Sequence, residues 1–95
     1  FNCLQIDGDI RRVLNPTPFD EKYKAFGWHT IVIDGHNFEE IEKAVAEAEQ
    51  TKGMPTAIIC RTIKGKGVSY MENVADWHGK APNEELYKIA KAELA

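Results

Sequence analysis

A chain of 95 residues with 43% apolar content makes one small domain, and folding at this size hides only about 60–65% of the surface the unfolded chain exposes. Its 15 acidic and 12 basic residues are mixed along the sequence and sum to a formal charge of -3, so it has neither the basic stripe of a nucleic-acid binder nor a polybasic membrane anchor. Two cysteines without CxxC or zinc spacing are fewer than a secreted disulfide scaffold normally shows and read as reduced thiols of a cytoplasmic protein, while no apolar run reaches the roughly 20 residues of a membrane span and the first residues do not read as a signal peptide.

The first six residues, Phe1-Asn2-Cys3-Leu4-Gln5-Ile6, read as a short extended piece closed by Asp7-Gly8. Phe1 is not a Met and falls inside an apolar stretch, which reads as a cut through a larger domain. A helix is expected over residues 19–26, ended by Gly27 in the left-handed conformation. Residues 28–33 are aromatic and β-branched and predict a buried strand running into Asp34-Gly35. Asn37 then starts the strongest helix, with Glu40 three residues on in a capping-box pattern. Phe38, Ile41, Val45 and Ala48 recur at steps of three and four, so Phe38, Ile41 and Val45 are expected to be buried. Gly53 and Pro55 end that segment, and residues 56–60, apolar on both faces, predict a further strand. Strands at 1–5, 28–33 and 56–60 separated by helices imply an α/β fold with a parallel sheet covered by helices on both faces.

After Arg61 the regular pattern stops for some twenty residues that hold three glycines, three lysines, Tyr70 and Trp77. Long loops inside a compact domain are functional or disordered as a rule, and aromatic anchors favour an ordered one. Asn83 then caps a last helix with Leu86, Ile89, Ala90 and Leu94 on one face. Ligands of parallel α/β sheets bind beyond the carboxyl ends of the strands, which selects residues 2–8 and the loop after Cys60. Within that loop Lys64-Gly65-Lys66-Gly67-Val68 reads either as a solvated turn or as a backbone able to approach a phosphate beside a lysine charge. It is no Walker loop, because the four-residue spacer before Gly-Lys-Ser/Thr is missing. His29 and His36 read as structural. His78, in Trp77-His78-Gly79-Lys80-Ala81-Pro82, reads either as a proton carrier or as a loop-ordering residue.

Five blocks together resemble transketolase, most nearly the N-terminal subunit of the split bacterial type. They are Asn2-Cys3-Leu4-Gln5-Ile6-Asp7-Gly8, Ala25-Phe26-Gly27-Trp28-His29, Asp34-Gly35-His36, Lys64-Gly65-Lys66-Gly67-Val68 and Trp77-His78-Gly79-Lys80-Ala81-Pro82. The resemblance covers essentially the whole chain, with the blocks in family order and at family spacing. It implies the C-terminal half of a thiamine-diphosphate-binding domain of the PP type, residues 1–95 being a partial domain. The complete enzyme moves a two-carbon ketol unit from a ketose phosphate to an aldose phosphate, as in the pentose phosphate pathway, with thiamine diphosphate and Mg2+ (or Ca2+ or Mn2+).

Carried over residue by residue, the resemblance makes the Asn2 side-chain oxygen and the Leu4 carbonyl metal ligands, a chemistry that suits hard cations. Ile6 takes the position that packs on the cofactor rings. Lys64 takes the position of a lysine that touches the cofactor region in some members, where others carry an apolar residue. His78 takes the position of a histidine near the diphosphate and the reacting carbons, with a cofactor-binding and a catalytic role. The family's Gly-Asp-Gly motif and its activating glutamate are not in this sequence, so the 95 residues alone are expected to catalyse nothing. The partners implied are sugar phosphates and a C-terminal transketolase subunit or domain, in a homodimer or heterotetramer. Two other readings stand beside this one: another thiamine-diphosphate enzyme, such as a deoxyxylulose-phosphate synthase or a dehydrogenase E1 component, and a non-enzymatic α/β interaction module.

Overall fold

A computed structural model describes residues 1–95, which divide into two compact units. One comprises Phe1 and Pro16–Thr62, the other Asn2–Asn15 and Ile63–Ala95. In chain order the elements are β1 (Leu4–Gln5), β2 (Gly8–Asp9), α1 (Ile10–Val13), α2 (Phe19–Ala25), β3 (His29–Asp34), α3 (Phe38–Gln50), β4 (Thr56–Arg61), a 3-10 turn (Ala75–His78) and α4 (Glu84–Glu93). No helix is long and apolar enough to cross a membrane.

In the first unit β3 and β4 pair in parallel, His29 opposite Thr56 through Asp34 opposite Arg61. Pleating turns alternate residues to opposite faces. His29 meets Glu47 of α3 at 2.6 Å, which marks one face of β3 as the side covered by α3. On the other face Val32 and Ile59 line a hollow with Phe19 of α2. The sheet is therefore covered on both faces, as the doubly apolar strands require. Gly27, at φ +82°, ends α2 as its position predicts.

The third strand is corrected. Only Phe1 continues the parallel pattern: its ammonium donates to the Cys60 carbonyl at 2.6 Å, and Thr62 N–H donates to the Phe1 carbonyl at 3.0 Å. Those two bonds are a single parallel bridge to Arg61. Residues 4–5 instead form β1, paired antiparallel with β2, Leu4 opposite Asp9 and Gln5 opposite Gly8. A two-residue turn at Ile6-Asp7, followed by Gly8 at φ +127°, makes this local hairpin available to them.

α3 shows a second correction. Asn37 caps it, its side-chain oxygen accepting from Glu39 and Glu40 N–H at 3.0 and 3.2 Å. Glu40, however, does not reach back to the Asn37 backbone as a capping box would, but accepts from Asp34 N–H at 2.8 Å and so ties the helix start to the end of β3. The sheet-facing line of the helix is Ile41, Ala44 and Ala48, with Ala44 2% exposed. Phe38 and Val45, expected inside, are 82% and 46% exposed. The reason is width. Two strands about 5 Å apart cover one flank of an apolar stripe on a helix roughly 10 Å across, and the other flank faces outward.

In the second unit the loop that follows β4 is ordered by its aromatic side chains. Tyr70 and Trp77 stack at 5.3 Å, Trp77 Nε1–H donates to the Tyr70 carbonyl at 3.1 Å, and Tyr70 Oη–H donates to the Leu86 carbonyl at 2.9 Å. Asn83 caps α4 by accepting from Leu86 N–H at 2.9 Å. Leu86 and Ala90 are half-buried, whereas Ile89 and Leu94, placed on the same face by their spacing, are exposed. The Glu93 carboxylate accepts from Ser69 N–H at 2.8 Å and Ser69 Oγ–H at 2.6 Å, and these bonds hold its pKa below the usual carboxylate value.

Candidate functional site

The second unit carries a hollow of about 380 Å³ lined by Asn2, Leu4, Gln5, Ile6, Asp7, Lys64, Ala75 and His78. Every site residue singled out in the sequence lies on its wall, although residues 2–6, 64 and 78 come from three separate segments. Gln5, Asp7 and Ala75 line it too. The sequence carries a signal for Asp7 alone, its place in the Ile6-Asp7 turn; Gln5 and Ala75 become visible only when the segments meet.

The Asn2 segment is a backbone device. Asn2 Oδ1 accepts from Leu4 N–H at 3.0 Å, closing an Asx turn, and Cys3 between them takes φ +62°. Cys3 O accepts from Ile10 N–H at 3.0 Å, which ties the turn to the start of α1. Asp9 caps α1 and binds Arg11 through both its backbone N–H and its guanidinium; that pairing holds the Asp9 carboxyl down at about 2. Ile6, at the tip of the hairpin, is 66% exposed, an apolar side chain offered to the hollow rather than to the core.

The Lys64-Gly65-Lys66-Gly67-Val68 run folds on itself. Gly65 stands at φ +71°, and a Cβ there would lie 2.6 Å from Met71 Cβ and 2.7 Å from the Met71 carbonyl carbon and oxygen. Gly67 N–H donates to Glu72 Oε1 at 2.9 Å, and Lys66 pairs with the same carboxylate at 3.8 Å. The two glycines thus shape a tight loop around Val68, which is buried, and the Gly67 amide is taken up by Glu72 rather than offered to a phosphate. From this run only Lys64 lines the hollow. Gly65→Ala is expected to lower stability by about 2–4 kcal/mol, combining a left-handed backbone with overlap onto a neighbouring main chain. A melting curve tests it; an unchanged melting temperature would show that the loop relaxes freely.

His78 is exposed at the end of the 3-10 turn and lines the hollow with Lys64. For a hard cation the residues on this wall supply the Asn2 and Gln5 amide oxygens, backbone carbonyls and the Asp7 carboxylate. The Asn2 oxygen has a second lone pair beyond the one used by Leu4 N–H, and oxygen donors of this kind suit Mg2+ or Ca2+. No group of three or more His, Cys, Asp or Glu side chains could hold a metal by itself. The residues present therefore could supply part of a hard cation's coordination shell, with Lys64 offering positive charge and Ile6 an apolar surface.

Among known protein families, the one described as transketolase, thiamine diphosphate binding domain, matches residues 1–95. The 6-deoxy-6-sulfo-D-fructose transketolase subunit SqwG of Clostridium sp. (strain MSTE9) is 44% identical over 94 residues, covering 99% of this chain and 34% of that protein. An apulose-4-phosphate transketolase subunit of Phocaeicola vulgatus is 36% identical over 94 residues, with the same shares, 99% and 34%. The chain spans about a third of the length of these relatives. A crystal structure of transketolase from Campylobacter jejuni superposes with a TM-score of 0.88 at 33% identity, over 97% of this chain and 14% of that one. The interaction-module reading and the other thiamine-diphosphate enzymes find no counterpart among these three.

Proposed function

This chain belongs to the family of transketolase thiamine diphosphate-binding domains, and from that membership we propose that it forms part of the cofactor site of an enzyme that moves a two-carbon ketol unit from a ketose phosphate to an aldose phosphate. The observation that carries the reading is the single hollow shared by Asn2, Leu4, Ile6, Lys64 and His78. Thiamine diphosphate, when bound, supplies the carbanion chemistry. Asn2 through its side-chain oxygen and Leu4 through its carbonyl hold a divalent cation, Mg2+ or a similar hard ion. Lys64 balances phosphate charge, and Ile6 packs on the cofactor rings. His78 hydrogen-bonds substrate oxygens and moves protons during the addition steps.

The two relatives above are both named as subunits, which supports a partner subunit that completes the enzyme, in a homodimer or heterotetramer. Their names carry one sulfonated and one phosphorylated sugar, so the donors to try are anion-bearing ketoses. The two free thiols support a cytoplasmic setting, with sugar interconversion of the pentose phosphate type as the metabolic role. The test is reconstitution. The protein that carries this chain, with its partner subunit, thiamine diphosphate and Mg2+, is expected to turn over a ketose phosphate and an aldose phosphate, while residues 1–95 alone give the rate of a no-protein blank. Failure to bind thiamine diphosphate by calorimetry, or turnover by the 95 residues alone, overturns the reading.

A further inference from the structure

We propose that Trp77, seated on Tyr70, is the positioning residue for His78. The inference rests on the role of His78 given above. His78 ends a 3-10 turn of four residues, Ala75–His78, whose N-terminal flank Val74 supplies no side-chain cap. The turn bond from Trp77 N–H to the Val74 carbonyl is long, at 3.4 Å. A single short turn of this kind does not hold its own geometry, so an exposed histidine at its end needs an external anchor.

The anchor is the preceding residue. Trp77 is half-buried, its ring set against Tyr70 at 5.3 Å and 61°, and its indole N–H donates to the Tyr70 carbonyl at 3.1 Å. Both contacts involve one partner and fix two directions, which sets the rotation of the turn and hence where the next side chain points. Tyr70 is itself tied down: its hydroxyl donates to the Leu86 carbonyl in the first turn of α4 at 2.9 Å, and its neighbour Ser69 is held by Glu93 near the far end of the same helix. None of the residues lining the hollow belongs to α4. Within this unit Tyr70 and Trp77 thus form a direct chain of contacts from α4 to the turn that carries His78.

Misplacing a reacting group by about 1 Å can cost roughly 100-fold in rate. Trp77→Phe keeps a ring on Tyr70 but loses the N–H donor. In the complete enzyme it is expected to lower kcat roughly 10-fold, with KM for the sugar phosphates and thiamine diphosphate affinity unchanged, because Asn2 stands on another segment and Lys64 is tied separately, its carbonyl accepting from Asn73 N–H at 3.0 Å. Tyr70→Phe, which loses only the bond to Leu86, is the milder companion and is expected to act in the same direction. In a His78→Ala background neither change should lower kcat further, the non-additivity expected of residues that act through one group. A readout apart from turnover is the imidazole NMR signal of His78 in cofactor-free protein: one set in the parent, more than one in Trp77→Phe.

Parental kcat and a single His78 signal in Trp77→Phe overturn the proposal, and so does an equal loss of kcat with and without His78. Those outcomes leave the proposed function standing. An inert His78→Ala overturns the proposal as well, by removing the catalytic role of His78, whereas the cofactor-site reading stands or falls on thiamine diphosphate binding.

Discussion

His78→Ala in the complete enzyme is expected to lower turnover by roughly 100-fold or more, the ordinary scale for a positioned acid–base group, and saturating thiamine diphosphate should not restore it. His78 is exposed, lies on the wall shared by Lys64 and the Asn2 segment, and is the only histidine there, His29 being engaged with Glu47 in the first unit. The competing view makes it a loop-ordering residue, yet the ordering bonds of that loop run through Tyr70, Trp77 and Leu86. Loss of the imidazole should therefore leave the melting temperature near that of the parent while kcat falls. Near-normal turnover at saturating cofactor, or a rate loss matched by a collapse in melting temperature, would remove the catalytic role.

Asn2→Ala should fail in a different way. Removing its side-chain oxygen deletes a donor suited to a hard cation, and the metal-dependent affinity for thiamine diphosphate should drop by at least the roughly 10–100-fold seen when a ligand's supporting partner is lost. The same oxygen also closes the turn onto Leu4 N–H, so the variant loosens the backbone that aims the Leu4 carbonyl. Titration with Mg2+ separates the two effects. A weakened ligand set is filled by mass action, so activity should return in part at high Mg2+ and thiamine diphosphate. A turn that no longer forms would not be restored by metal. Activity that stays low at every Mg2+ concentration, or cofactor affinity equal to that of the parent, counts against Asn2 as a ligand.

Local signals were legible where the physics is local. Asn37 and Asn83 cap helices in the structure because an Asn side chain can reach an amide two or three residues on whatever surrounds it. Gly27 ends α2 because a left-handed residue without a Cβ penalty is needed there. The runs at His29–Asp34 and Thr56–Arg61 form parallel strands because they are apolar on both faces and joined by a helix. The five sequence blocks were likewise enough to identify the family that the whole-chain match then showed.

Partnering across the chain was another matter. Residues 4–5 carry the composition of a parallel strand, yet a neighbouring hairpin partner at residues 8–9 was closer at hand, and only Phe1 kept its bridge to Arg61. The inward side of α3 is offset by one flank from the periodic stripe, since periodicity locates an apolar stripe but not the width of sheet that will cover it; hence Ala44 lies inside and Phe38 outside. The glycines of the Lys64 loop suit either a solvated turn or a backbone close to a phosphate, and the contacts with Met71 and Glu72 reveal that they shape the loop itself. The sequence by itself determined the helix caps, the β3–α3–β4 unit and the residue types able to meet a cofactor, because capping, periodicity and ligand chemistry act within a few bonds. Tertiary structure alone decided that Asn2, Lys64 and His78 share one wall, because that depends on which segments pack together over separations of 62 and 14 residues.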